Sequence, residues 1–215
     1  MARVVFDLDG TLIDSAPGIR GIANGILREE GLPEISLAEA HSFIGHGAGA
    51  FVAQMRAARG IADSEQERLL GTLLGRYEGA VGLSQPYPGV PEALAALVAG
   101  GHVLALCTNK PEAPARLELE YLGVTGDFGV VVGGDSLAVR KPDPGPLRAV
   151  LGAMAEGPSV YVGDSEVDAE TAQAAGVAFL LFTGGYRKSP VEAIPHDAAF
   201  DDFADLPALV AAHAR

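Results

Sequence analysis

Cysteine occurs once in these 215 residues, basic side chains are outnumbered by acidic ones, and no apolar run approaches the thickness of a bilayer. The lone Cys107 excludes an internal disulfide and a multi-cysteine zinc site. It closes the run Val103-Leu104-Ala105-Leu106, so a buried structural thiol is expected. With 15 Lys and Arg against 28 Asp and Glu, the net charge of -13 argues against a nucleic-acid partner, whose backbone needs cations to neutralise it. A membrane-spanning helix takes about 20 consecutive apolar residues, and the sequence offers none, so no membrane association is expected. Met1-Ala2-Arg3 runs straight into an apolar stretch without the pattern of a secretory leader, which makes the cytoplasm the expected location. Lysine is missing altogether from residues 14–83.

What is present is organised around Val4-Val5-Phe6-Asp7-Leu8-Asp9-Gly10-Thr11-Leu12. A short apolar run ending in two carboxylates and a glycine reads as a buried strand emptying into a loop. Residues two apart in an extended chain point the same way, so Asp7 and Asp9 can face one pocket. Carboxylates held that close repel unless a cation lies between them or one takes a proton. A hard divalent ion with oxygen ligands, Mg²⁺, answers that need. The plainer alternative is an acidic turn, since Asp and Gly are ordinary turn residues.

Past Leu12 the pattern becomes helical. Ile19, Ile22, Ile26 and Leu27 recur at helical spacing, and Gly31 with Pro33 closes that helix. Ser36-Leu37-Ala38-Glu39 and Ser64-Glu65-Gln66-Glu67 both have capping-box form. Leu69, Leu70, Leu73, Leu74 and Tyr77 are expected on one helical face, and no strand is expected between Asp14 and Leu83. After the proline-stiffened linker 84–89, helices alternate with apolar strands at 103–107, 130–132, 160–162 and 179–182, and residues 204–214 read as a closing helix. Continuous apolar strands alternating with helices predict a doubly wound parallel α/β sheet, a Rossmann-like core, carrying an inserted all-helical domain. The expected division is residues 1–13 and 84–215 for the core and 14–83 for the insert.

Open sheets of this kind bind ligands past the carboxyl ends of their strands. Those ends carry Asp7-Leu8-Asp9, Thr108-Asn109-Lys110, Gly133-Gly134-Asp135 leading to Lys141-Pro142, and Gly163-Asp164-Ser165-Glu166-Val167-Asp168. Taken singly, Thr108 is a turn hydroxyl, Lys141 a surface charge, and Asp164 and Asp168 helix-start acids. Taken together they suit phosphoryl transfer, in which a carboxylate attacks phosphorus and fixed charges hold the phosphoryl oxygens. Lys141 supplies a point charge and Thr108 a hydroxyl donor. Asp164 would complete the Mg²⁺ shell, and Asp168 would orient Lys141 or a water on the ion.

The order Asp7-Leu8-Asp9-Gly10-Thr11, Thr108-Asn109, Lys141-Pro142, Gly163-Asp164-Ser165-x-x-Asp168 resembles the four motifs of the haloacid dehalogenase-like hydrolases, in the subgroup with a helical cap after the first motif. The resemblance implies Asp7 as nucleophile and Asp9 as general acid and base. It implies Mg²⁺ held by Asp7, Asp164 and the Asp9 carbonyl, and a phosphoryl group held by Thr108, Asn109 and Lys141. Leu106-Cys107-Thr108-Asn109-Lys110-Pro111 and Phe182-Thr183-Gly184-Gly185-Tyr186-Arg187 are similar to the wording of bacterial phosphoglycolate phosphatases. That family implies a small phosphorylated substrate, with sugar phosphates as the alternative because related phosphatases share much of this wording.

Substrate choice is expected in the cap, where Ile44-Gly45-His46-Gly47 resembles the loop that closes over the leaving group, placing Gly45 and His46 in the substrate site with His46 or nearby backbone N–H groups meeting a substrate carboxylate. Local hydrogen bonding is the plainer role for His46. Arg20, Lys110 and Arg187 are weaker candidates, since a lone basic residue usually marks a solvated face. A phosphomutase would need a basic cluster in residues 14–83, and none is there. A dehalogenase would not need Asp9, and a phosphonate-cleaving enzyme would need a cap lysine. A non-catalytic binding module would have lost Asp7, Asp9 or Lys141, and all are present. The acidic surface favours a monomer, with a cap-mediated homodimer as the other expectation.

Overall fold

Val4, Val5 and Phe6 are completely buried because the strand they form lies at the middle of the sheet. The computed structural model describes residues 1–80 and 82–214; Val81, inside the expected insert, and Arg215, at the end of the expected core, lie outside the described residues. In chain order the elements begin with β1 (Arg3–Phe6), β2 (Ile13–Asp14), α1 (Ala16–Glu29), α2 (Leu37–Phe43), α3 (Ala48–Arg59) and α4 (Gln66–Gly75). They continue with β3 (Gln85–Pro86), α5 (Val90–Ala99), β4 (Val103–Cys107), α6 (Glu112–Tyr121), β5 (Phe128–Val132) and α7 (Gly145–Gly152). The chain closes with β6 (Ser159–Gly163), α8 (Glu166–Ala175), β7 (Ala178–Phe182), β8 (Ala198–Phe200) and α9 (Leu206–His213).

The main sheet has six parallel strands in the order β5-β4-β1-β6-β7-β8, the doubly wound α/β arrangement the alternation predicts. Both of its faces are covered. Val4 and Phe6 pack with Leu94, Leu97 and Phe203 on one side, and Val5 packs with Leu147, Val150 and Tyr161 on the other. Each such side chain taken fully out of water contributes roughly 1.5–3 kcal/mol. From β1 the chain winds outward to β4 and β5, then crosses back from β5 to β6 on the other side of β1, so the carboxyl end of β1 opens at the switch point where open sheets bind ligands.

Helices α1 to α4 gather around a separate set of buried side chains that includes Ile19, Leu27, Phe51, Met55, Leu69 and Leu73. The Ser36 capping box forms as expected: the Glu39 N–H donates to Ser36 Oγ, and the Ser36 N–H donates to Glu39. The second one does not. Ser64 is taken up in the 3₁₀ turn Asp63–Glu65 and α4 begins after it without a side-chain cap, while Arg56 holds Asp63 (2.8 Å) and Gln66 (2.7 Å) across the helix pair. On α4 the expected face is narrower, with Leu69, Leu73 and Tyr77 buried while Leu74 stays exposed.

Three short strands are not expected from the sequence. Asp14 lies in β2, which pairs antiparallel with β3, so a small ribbon joins the two places where the chain crosses between core and helices. Pro86 is tolerated there because this ribbon asks no ladder donor of it. β8 adds a sixth strand at the sheet edge, with Phe200 packed on Phe182 and Phe203. No described helix is long and apolar enough to cross a membrane.

Candidate active site

β1 ends one residue before Asp7, whose N–H donates to the Val162 carbonyl at 2.9 Å and so fixes its carboxylate at the sheet's open end. Lys141 Nζ lies 3.0 Å from Asp7 Oδ1, donates to Asp168 Oδ1 at 2.7 Å and donates to the Tyr161 hydroxyl at 2.8 Å. Asp168, in the first turn of α8, is saturated. Its Oδ1 takes Lys141 and Tyr161, while its Oδ2 accepts from the N–H groups of Asp164 and Ser165 and from the Ser165 hydroxyl. Asp164, at the end of β6, accepts from the Thr11 hydroxyl (2.8 Å) and from the Tyr186 N–H (2.6 Å).

The two carboxylates on Lys141 respond in opposite directions. Burial pushes Asp7 up to about 7, beyond what the nearby ammonium offsets. Burial acts on Asp168 too, but Lys141 and the hydrogen bonds from Lys141, Ser165 and Tyr161 outweigh it and hold the group below its ordinary value. The shared lysine therefore serves Asp168 first, consistent with its shorter contact. Burial also works against the charge of Lys141, yet Asp168 and Asp7 together raise its pKa. Asp164 is raised well above its usual range, first by burial and then by Asp168 and Asp7.

Side-chain oxygens of Asp7, Asp164 and Asp168 lie within 4.8 Å of one another. Asp168 has no capacity left for an ion, whereas Asp7 Oδ1 is buried without a hydrogen bond. Three buried carboxylates facing one ammonium leave an excess of negative charge, and a hard divalent cation at Asp7 and Asp164 fits that excess. The Asp9 side chain points elsewhere: its Oδ1 accepts from Lys110 Nζ at 3.0 Å. Gly10 has φ +87°, and a Cβ there would meet Asp164 Oδ2 at 2.5 Å, so the turn after Asp9 needs glycine.

Thr108 follows β4 and is buried, its N–H donating to the Val132 carbonyl. Asn109 reaches across the cleft. Its Nδ2 donates to the Gly45 carbonyl (2.9 Å) and the Lys141 carbonyl (3.0 Å), and its Oδ1 accepts from the Lys141 N–H (3.1 Å). Gly45 therefore meets the core through its backbone. His46 is exposed and lines the outer cleft, a space of about 760 Å³ shared with Asp7, Asp164, Glu166 and Lys188.

Lys110 corrects the reading of a solvated charge. It is 4% exposed, pairs with Asp9, lies 3.7 Å from Glu118 Oε1 and sits 5.3 Å from the centre of the Tyr77 ring. Tyr161 and Tyr186 were also passed over. Tyr161 lies mid-strand in an apolar run, and its hydroxyl also reaches the Cys107 carbonyl at 3.1 Å. The Tyr186 hydroxyl donates to Asp14 and accepts from the Ala16 N–H, tying the loop after β7 to the first crossing. The one signal for Tyr186 was its place in the stretch 182–187.

The sequence profile of the family described as haloacid dehalogenase-like hydrolase matches residues 4–182. A phosphoglycolate phosphatase of Cereibacter sphaeroides is 46% identical over 213 residues, covering 98% of both chains. One of Rhodobacter capsulatus is 42% identical, covering 96% of this chain and 95% of its own. The crystal structure of a predicted phosphoglycolate phosphatase from Haemophilus somnus superposes with a TM-score of 0.89 at 32% identity, covering 96% of each chain.

Proposed function

The chain belongs to the haloacid dehalogenase-like hydrolases and is a phosphatase, and from that premise we propose that it hydrolyses 2-phosphoglycolate to glycolate and phosphate in the cytoplasm. The observation that carries the chemistry is the Asp7 carboxylate, buried beside the Lys141 ammonium with Oδ1 free of any hydrogen bond. In this reading Asp7 attacks phosphorus and forms an aspartyl-phosphate, breaking the bond to the leaving oxygen. Asp9 donates its proton to that oxygen, then takes one from the water that cleaves the acyl phosphate. Lys141, the Thr108 hydroxyl and nearby backbone N–H groups hold the phosphoryl oxygens, and Asn109 keeps the Lys141 segment in place. Asp168 and Tyr161 hold the Lys141 ammonium at its post. Mg²⁺ would be held by Asp7, Asp164 and the Asp9 carbonyl, where it supplies positive charge to the phosphoryl oxygens and keeps Asp7 ionised.

Residues 1–13 and 84–215 form the core domain in this account and residues 14–83 the cap, which excludes bulk water when closed. The small phosphorylated substrate is in keeping with the acidic net charge, which speaks against nucleic acid. A panel of 2-phosphoglycolate, sugar phosphates, a nucleoside monophosphate and pyrophosphate, with Mg²⁺ and with EDTA, tests the assignment. Phosphate release preferring 2-phosphoglycolate and abolished by EDTA is expected. Equal release across the sugar phosphates would refute the substrate, and full activity in EDTA would refute the metal.

A further inference from the structure

Between Asp9 and the helical segment lies a second recess, and the one lysine or arginine among its described lining residues is Lys110. Burying an ammonium is unfavourable unless it has partners, and Lys110 has been given a fixed position. Asp9 Oδ1 accepts at 3.0 Å, the Tyr77 ring faces it, and Glu118 stands on the far side. Glu118 is itself anchored by the Ser84 hydroxyl at 2.8 Å. An ammonium carries three donors. Asp9 takes one, and Glu118 at 3.7 Å lies beyond hydrogen-bond distance, so donor capacity remains toward the recess. The rest of the wall mixes the apolar side chains of Ile19, Ile44, Ala48 and Phe51 with Tyr77, Thr108, Asn109 and the backbone of Gly45 and Gly47.

We propose that Lys110 reads a carboxylate on the leaving group, and that this contact makes the enzyme selective for phosphoesters of small 2-hydroxy acids. The inference rests on the phosphatase reading above and adds the group that selects the substrate. Asp9 must touch the leaving oxygen in order to protonate it, and Lys110 Nζ is 3.0 Å from Asp9. In a 2-hydroxy acid the carboxylate hangs on the very carbon that bears the leaving oxygen. One such leaving group therefore meets Asp9 and Lys110 together, whereas a carboxylate further along the chain overshoots. Sugar phosphates carry no carboxylate, so their leaving groups forgo the charged contact with Lys110 and are turned over less well on that ground. Glu118 and Ser84 are positioning residues that keep the ammonium aimed.

The test compares kcat/KM for 2-phosphoglycolate with kcat/KM for ethyl phosphate, which has the same two-carbon skeleton and no carboxylate. Wild-type protein is expected to prefer 2-phosphoglycolate by at least about tenfold, the scale of one hydrogen bond to a charged group. In Lys110→Met that ratio is expected to fall by a similar factor, and Lys110→Arg is expected to recover part of it. Comparing ratios cancels the intrinsic difference between the two leaving groups and any equal loss through Asp9. A Lys110→Met variant that keeps the wild-type ratio overturns the proposal. So does wild-type protein with no preference, a result that needs no variant to fold. Absence of phosphate release from both esters by wild-type protein would instead overturn the phosphatase reading, and this inference with it.

Discussion

Asp7 and Asp168 share one lysine and differ in what the fold asks of them. Asp7 is raised from 3.8 to about 7, chiefly by burial, so the folded state disfavours its charged form. That penalty is absent below pH 4 and grows as pH climbs toward 7, which makes stability fall over the window. In metal-free buffer Asp7→Asn is expected to match or exceed the wild-type Tm at pH 8, with a smaller gain at pH 5, while losing at least about 1,000-fold in kcat. Asp168 has its pKa lowered, so its contribution is present above 3.8 and lost as pH falls below it. Asp168→Asn weakens the main support of a buried ammonium, and a Tm lower by about 10 °C at pH 7 is expected. Thermal melts of the two variants with and without EDTA check both signs, and a shared sign would contradict the electrostatic account. Asp7, Asp9 and Asp164 are legible as candidates because they stand just past strand ends in short motifs, and Lys141 because it lies in a short motif on the loop between β5 and α7. Lys110 reads only as a weak candidate and Tyr161 as an apolar strand residue, because their partners are distant in the chain: Asp9 is 101 residues from Lys110, and Lys141 is 20 from Tyr161.

At the scale of elements, a capping motif works only where nothing stronger claims its residues. Ser36 and Glu39 cap α2 reciprocally, and Arg59 reinforces them by gripping Glu39 at 2.9 Å. Ser36→Ala is expected to cost about 1 kcal/mol, lowering Tm by about 2–4 °C. Glu39 is pulled down to about 2, first by the hydrogen bond from Arg59 and then by Ser36. Its contribution is therefore complete above 4.5 and disappears as pH falls toward 2. A Glu39→Gln variant should melt below wild type at pH 7, with the gap closing in acid; a gap independent of pH would assign the effect to helix propensity instead. The same motif at Ser64 does not act because Ser64 is taken up in the 3₁₀ turn Asp63–Glu65, which puts Glu65 in the capping position of α4. The long helices and central strands were readable because burial on a fixed period writes itself into the sequence. β8 is three residues of Ala-Ala-Phe held by the edge of β7, and β2 and β3 have two residues each, too short to carry a period.

In the whole molecule the substrate space lies between two bodies of side chains joined by few contacts. The β2–β3 ribbon carries both crossings, Asn109 reaches the Gly45 carbonyl, and Tyr186 packs into the helical cluster while holding Asp164. Ile19, Ala48 and Phe51 line the inner recess from the helical side, and His46 and Lys188 line the outer cleft. If the helices must swing away on each turnover, tying the two sides together should slow the enzyme. His46→Cys with Lys188→Cys provides a pair of exposed attachment points on opposite walls. Native Cys107 will not compete, since it is buried and its thiol is pushed up to about 12. A short cleavable bismaleimide on this double variant is expected to reduce kcat on the order of tenfold or more, with recovery on cleavage. A monofunctional maleimide on the same two thiols separates obstruction of the cleft from loss of motion. Slowing by the crosslink alone establishes that the helices move during turnover; equal rates in crosslinked and singly labelled protein would mean that substrate and products exchange through the closed cleft.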